Sequence, residues 1–155
     1  MATWQEFHDD APDLAAKVEA RFAANTHHVL GTLRADGSPR LSGTEVHPRD
    51  GELYLGSMWR ARKALDLQRD PRCAVHSNPS DPTMAGGDAK LDAVAVEVEG
   101  AERDAFYAAI DAPPGENHLF RLDIHRVVLT EVDAEADQLT VQVWRPGHEI
   151  LRMVR

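Results

Sequence analysis

The chain has 155 residues, a length at which folding buries roughly 70% of the unfolded surface, so one self-sufficient domain over residues 1–155 is expected. Its 17 Lys and Arg against 26 Asp and Glu leave a formal net charge of -9 with neutral histidine, which repels phosphate backbones and anionic lipid and speaks against nucleic-acid and membrane partners. An apolar content of 43% is too high for a disordered chain, and no apolar run reaches the ~20 residues of a membrane span. The first ten residues lack the basic start and apolar stretch of a secretory signal, so a cytoplasmic location is expected. Cys73 is the only cysteine, which excludes an internal disulfide and makes a structural metal site an unattractive reading.

Leu14, Val18 and Phe22 fall on one helical stripe, with Pro12 near its start and Asn25 past its end, so a helix there caps an apolar surface. From His28 the period changes to two. Val29-Leu30-Gly31-Thr32-Leu33 reads as a strand, and Asp36-Gly37 turns it into a second strand over Arg40 to Val46. A second pair, Asp50-Gly51, turns the chain into Glu52-Leu53-Tyr54-Leu55-Gly56, so the three strands are expected to pair consecutively as a meander. Ala61, Ala64, Leu65 and Gln68 then mark a short helix that stops at Asp70-Pro71, because a residue before proline avoids the α region.

A strand over Arg72 to His76 follows, and the breaker-rich run Asn78 to Asp88 reads as a long loop. Alternation of Val94, Val96 and Val98 predicts a strand from about Lys90 to Glu99, and Phe106, Ala109 and Ile110 a small helix closed by Ala112-Pro113-Pro114-Gly115. Strands over Leu119 to Val132 and Leu139 to Trp144, joined by the acidic turn Asp133 to Asp137, complete the chain. Trp144 shares a strand face with the polar Gln142 and Thr140, so it is expected to leave the interior and cover a neighbour. Six or seven antiparallel strands with only short helices between them exclude a doubly wound parallel sheet. They predict a mainly β protein, a small barrel with a helix at one open end.

The segment Ser57 to Arg72 concentrates Arg60, Arg62, Lys63, Arg69 and Arg72 in an acidic protein. Arg60, Arg62 and Lys63 stand at the start of a helix, where unpaired N–H groups and the positive dipole end already attract anions. Cations there cost on the order of 0.3–1 kcal/mol each, a cost removed when a phosphate sits at that end and pairs with them. The competing reading is a solvated basic face whose stems cover apolar surface. Trp59 beside the cluster either stacks on a planar ligand or packs on the helix start.

This arrangement resembles the pyridoxamine 5'-phosphate oxidase-like proteins, the FMN-binding split barrels that include flavin- and deazaflavin F420-dependent reductases. The resemblance rests on Val29 to Leu33, the hairpin Arg34 to Arg40, Gly51 to Leu55, and Arg62-Lys63-Ala64 leading through Leu67 to Arg69-Asp70-Pro71-Arg72, and it spans roughly residues 10 to 147. It implies a homodimeric split barrel that binds FMN, or F420 in its place, at the subunit interface and oxidises or reduces a small organic molecule. Arg62 and Lys63 would then grip the cofactor phosphate with Arg60 assisting. Arg40, Ser42 and Thr44, which share a strand face by alternation, would contact the ring or ribityl chain. Ala61 stands where relatives carry a hydroxyl residue, and Ser57 could supply that bond instead. The tail Arg152-Met153-Val154-Arg155 lacks the Arg-Leu-x-Pro ending of the vitamin B6 oxidase, so pyridoxamine phosphate oxidation is not assigned.

No nucleophile elbow or dinucleotide-binding glycine motif occurs, which agrees with hydride chemistry supplied by a cofactor. The histidines show no metal spacing. Haem is a third cofactor reading, with His76 and His148 as the axial candidates, and it would make the protein a carrier or sensor without turnover. A third possibility is a split barrel that has lost its ligand, motivated by Ala61.

Overall fold

The computed structural model describes residues 1–79, 84, 86–112, 115–133 and 135–155. Helix α1 (Trp4–Asp10) starts with a capping box that the periodicity did not flag. The Thr3 hydroxyl accepts the Glu6 N–H at 3.1 Å, and the Glu6 carboxylate accepts the Thr3 N–H at 2.7 Å. Helix α2 (Pro12–Ala23) carries proline in its first turn and buries the expected stripe of Leu14, Val18 and Phe22.

Two hairpins follow. Strands β1 (His28–Leu33) and β2 (Pro39–Thr44) are joined through Asp36, whose carboxylate accepts the Ser38 N–H at 2.9 Å. Strands β3 (His47–Arg49) and β4 (Glu52–Met58) are joined by Asp50 and Gly51, both left-handed with φ of 51° and 81°, as a two-residue turn matching strand twist requires. The strand expected through Val46 ends at Thr44. The expected meander does not form. The sheet order β2-β1-β5-β6-β7-β4-β3 puts β2 and β3 at opposite ends of the path, since β1 takes β5 on its free edge and β4 takes β7. Turn chemistry specifies each hairpin, but it carries no information on which hairpins become neighbours.

Helix α3 (Arg62–Arg69) stops where Asp70 turns extended before Pro71, and β5 (Arg72–His76) follows. Strand β6 (Asp88–Val98), helix α4 (Gly100–Ala109), and strands β7 (Asn117–Asp133), β8 (Gln138–Trp144) and β9 (Leu151–Val154) complete the chain. Of the predicted loop and turns, residues 80–83 and 85, Pro113-Pro114 and Ala134 lie outside the described residues. The described residues form nine strands rather than six or seven, the short β3 and β9 being the additions.

The 17-residue β7 is the spine. It pairs with β6 along nearly its whole length, with β4 at its start and with β8 at its end. The mainly antiparallel sheet curls around Leu30, Leu53, Leu55, Val75, Leu91, Leu122 and Leu129, with α1 and α2 packed on the same core. Strands β2 and β4 share no ladder, which leaves the barrel split between them. Among the described residues, no helix is long and apolar enough to cross a membrane.

Trp144 corrects one expectation. Its indole is 1% exposed and meets Phe7 of α1 at a centroid distance of 4.8 Å, so it faces the core of its own chain and does not form an outer seam. Because the cover that buries it comes from α1, alternation along β8 alone could not reveal its direction. Trp144→Ala is expected to cost about 3–5 kcal/mol in urea unfolding, the range for losing a large buried ring. A loss under about 1 kcal/mol would show that α1 does not seal this part of the core.

Candidate functional site

Helix α3 begins with an unfavourable arrangement. Its N-cap is Ala61, no side chain caps it, and its first turn holds no acid. The Ala61 carbonyl accepts the Ala64 and Leu65 N–H groups at 2.9 and 3.1 Å, so the N–H groups of Arg62 and Lys63 remain at the positive end of the helix. Arg62 is exposed and makes no ion pair among the described residues. Lys63 is half-buried and donates from Nζ to the Gly43 carbonyl at 2.7 Å. Burial pushes its ammonium below the ordinary lysine range, and nearby Glu45 pulls it part of the way back.

The next turn of α3 is anchored by Asp66, which is 3% exposed. Its carboxylate accepts from Thr32 Oγ1 at 3.0 Å, from Arg40 Nε at 2.6 Å and from Arg69 at 3.2 Å. Burial alone would raise this carboxyl, but the hydrogen bonds from Arg40, Arg69 and Thr32 outweigh it and hold the group below its ordinary value.

Strand β4 reaches α3 through a tight turn in which the Ala61 N–H donates to the Met58 carbonyl at 3.1 Å and Arg60 is left-handed, with φ of 55°. A cleft of about 830 Å³ opens here, between the ends of β2 and β4, the start of α3, the end of α4 and the start of β7. Of the residues singled out by sequence, Thr44, Ser57, Trp59 and Lys63 line it. Arg40, Ser42, Arg60 and Arg62 do not. Arg40 is held by Asp66 beneath α3, and Ser42 lies in the β1–β2 ladder opposite Leu30. Arg60 and Arg62 are exposed in the turn and first helical turn that flank the cleft.

The cleft also gathers residues that the sequence did not single out. Glu45 lies between two imidazoles, with His27 Nε2 at 3.4 Å and His47 Nε2 at 3.6 Å. Burial lowers the His47 pKa from its ordinary value while Glu45 raises it. Tyr107 and Ile110 from the α4 end form an apolar wall. Gly43 presents bare backbone, since a Cβ built there would meet nothing within 4 Å. Of the haem candidates, His76 lies 3.8 Å from Asp88, and neither His76 nor His148 lines the cleft. Cys73 is buried and its thiol is pushed up to about 12, first by desolvation, so it is not a nucleophile. Another cleft of about 920 Å³, under α2, has its Lys17 paired to Glu131 at 3.0 Å and lacks an aromatic wall.

No family description and no curated protein matches the sequence. Solved structures do match. PhzG from Burkholderia lata 383, solved with tetrahydrophenazine-1-carboxylic acid, superposes with a TM-score of 0.71 at 13% identity over 98% of this chain and 92% of that one. A candidate pyridoxamine 5'-phosphate oxidase from Listeria innocua gives 0.60 at 18% identity over 75% and 97%. HutZ, the haem storage protein of Vibrio cholerae, gives 0.55 at 21% identity over 74% and 89%. The chain therefore has the split-barrel fold of pyridoxamine 5'-phosphate oxidase-like proteins.

The Asp66 anchor has a testable pH signature. A carboxyl depressed on folding adds stability that is fully present above its unfolded value of about 4 and disappears as pH falls through the lower folded value. Urea unfolding between about pH 5 and 2 should therefore show wild-type stability falling, and a flatter fall in Asp66→Asn, which should also be less stable at pH 7 by about 3 kcal/mol. Equal slopes in the two proteins would remove the anchor role.

Proposed function

We propose that the chain is a flavin-dependent oxidoreductase acting on small organic molecules, with FMN held in the cleft beside α3 and a second copy of the chain completing the site. F420 shares the tricyclic ring and a phosphate and is the alternative cofactor. The observation that carries the reading is the uncapped, cationic first turn of α3 at the edge of a cleft large enough for a cofactor, about 830 Å³.

The residues present fit such a group. Arg62 and Lys63 supply two cations and two backbone donors for a phosphate, and the Lys63 ammonium is already partly shielded from water. The Ser57 and Thr44 hydroxyls make only long bonds, of 3.4 and 3.3 Å, to the next carbonyl, so both can rotate toward a ligand. Trp59 is 51% exposed and offers a stacking face. The bound flavin would supply hydride transfer, while these side chains bind and orient it and the apolar wall of Tyr107 and Ile110 excludes water. Glu45 and its two flanking histidines could hold or release a proton at the cleft. Support for a second copy comes from Leu41 on β2 and Met58 on β4, each 75% exposed on the two strands that flank the split.

A second reading, a haem or flavin carrier without turnover, draws on the likeness to the haem storage protein and on the cleft imidazoles of His27 and His47. Both of those Nε2 atoms face the Glu45 carboxylate, at 3.4 and 3.6 Å, a partner that competes with iron for the same nitrogens.

Arg62→Ala with Lys63→Ala is expected to weaken FMN binding by several kcal/mol, at roughly 1.5–3 kcal/mol per charge-assisted bond, and to leave riboflavin binding unchanged. Unaltered FMN affinity in a fluorescence titration would remove the phosphate assignment. With flavin bound, steady-state consumption of reduced nicotinamide in the presence of an organic acceptor is the expected result for the enzyme. Binding without turnover across acceptors would instead establish the carrier.

A further inference from the structure

We propose that His118 is a positioning residue for the phosphate-binding turn, a role that rests on the phosphate reading of α3. His118 lies in β7 opposite Ser57 of β4, at the point where the chain leaves the sheet for α3. It is 4% exposed, and both of its ring nitrogens are engaged. The Arg60 N–H donates to Nε2 at 3.1 Å, so Nε2 carries no proton and the ring is protonated on Nδ1. Nδ1 in turn donates to Glu97 Oε1 at 2.6 Å. The Trp59 indole lies flat on the same imidazole, with centroids 4.7 Å apart and planes 10° from parallel.

One ring thus sets two adjacent residues of the turn, the backbone of Arg60 and the side chain of Trp59. The constraint matters because Arg60 is left-handed, a conformation that side chains such as Arg rarely adopt, and the His118 acceptor holds its N–H in that geometry. The other end of α3 is tied to the same network. Gln68 donates from Nε2 to Glu97 Oε2 at 2.8 Å, so Glu97 connects the last turn of α3 to the histidine that fixes the turn before its first. The Tyr107 hydroxyl, from α4, donates to the His118 carbonyl at 2.6 Å and fixes its backbone as well. The start and end of α3 are therefore both referenced to strands β6 and β7, which places the N–H groups of Arg62 and Lys63 at a fixed point beside the cleft. Among the described residues the charged side chain paired with the imidazole is Glu97, which selects the tautomer with Nε2 free to accept.

Binding of FMN and of riboflavin, which lacks the phosphate, separates this role from a general structural one. His118→Phe keeps an aromatic ring for Trp59 but removes the acceptor, and FMN affinity is expected to fall about tenfold with riboflavin affinity unchanged. His118→Gln, whose side-chain oxygen can accept the Arg60 N–H, should recover most of the loss. Glu97→Ala, which frees the tautomer, should shift FMN affinity in the same direction as His118→Phe, and it supplies the measurement if His118→Phe does not fold. A wild-type preference for FMN that survives His118→Phe or Glu97→Ala undiminished overturns the proposal, as does an equal loss of FMN and riboflavin affinity. Equal binding of both ligands by the unaltered protein overturns the phosphate reading itself, and this proposal with it.

Discussion

The carboxylate of Asp66 is the contact on which the cleft depends. A helix that starts with Arg62 and Lys63 and has no acid in its first turn opposes its own dipole, so its position must be secured by other contacts. Asp66 does this by joining three elements at one buried point: Thr32 of β1, Arg40 of β2 and Arg69 of α3 itself. Ala64 and Leu67 add apolar burial along the helix. With Asp66 paired to Arg40 and Lys63 bonded to the Gly43 carbonyl, α3 is tied to β2 and its positive end is held beside the split. Removing one partner from such a buried cluster leaves the others unpaired, which is costlier than losing a surface ion pair.

Much of this was legible in the chain because it depends on local chemistry. Asp36-Gly37 and Asp50-Gly51 marked both hairpins, Pro71 ended α3, and the misplaced cations pointed to Lys63 and the cleft. Features set by distant partners were not legible. Arg40 shares a face with Thr44 by alternation, yet the carboxylate it meets is 26 residues away, so its ion pair with Asp66 had no local sign. Likewise Arg60 and His118 are 58 residues apart, and His118 carries no motif. Trp144 was misdirected because the surface that covers it belongs to α1, a seven-residue helix too short to register as a periodic pattern. The Thr3-to-Glu6 capping box was the available cue.

The electrostatics of the whole molecule bear on how such a cleft could work. At a net charge of -9 the long-range field repels an anion, so only short contacts can hold one. Around the cleft, Glu45, Asp111 and Glu116 outnumber the single lining lysine, Lys63, and Arg62 stands outside the lining. A phosphate could therefore be bound only where donors are placed in advance, at the first turn of α3, and would gain little from diffuse attraction. This favours positional precision over charge density. At about 0.1 M salt the Debye length is roughly 10 Å, so distant repulsion is screened while hydrogen bonds at contact distance are left nearly intact. The left-handed Arg60 and the buried network behind it are then consistent with a site whose selectivity comes from geometry, because the turn that must be exact is the one tied to both β6 and β7.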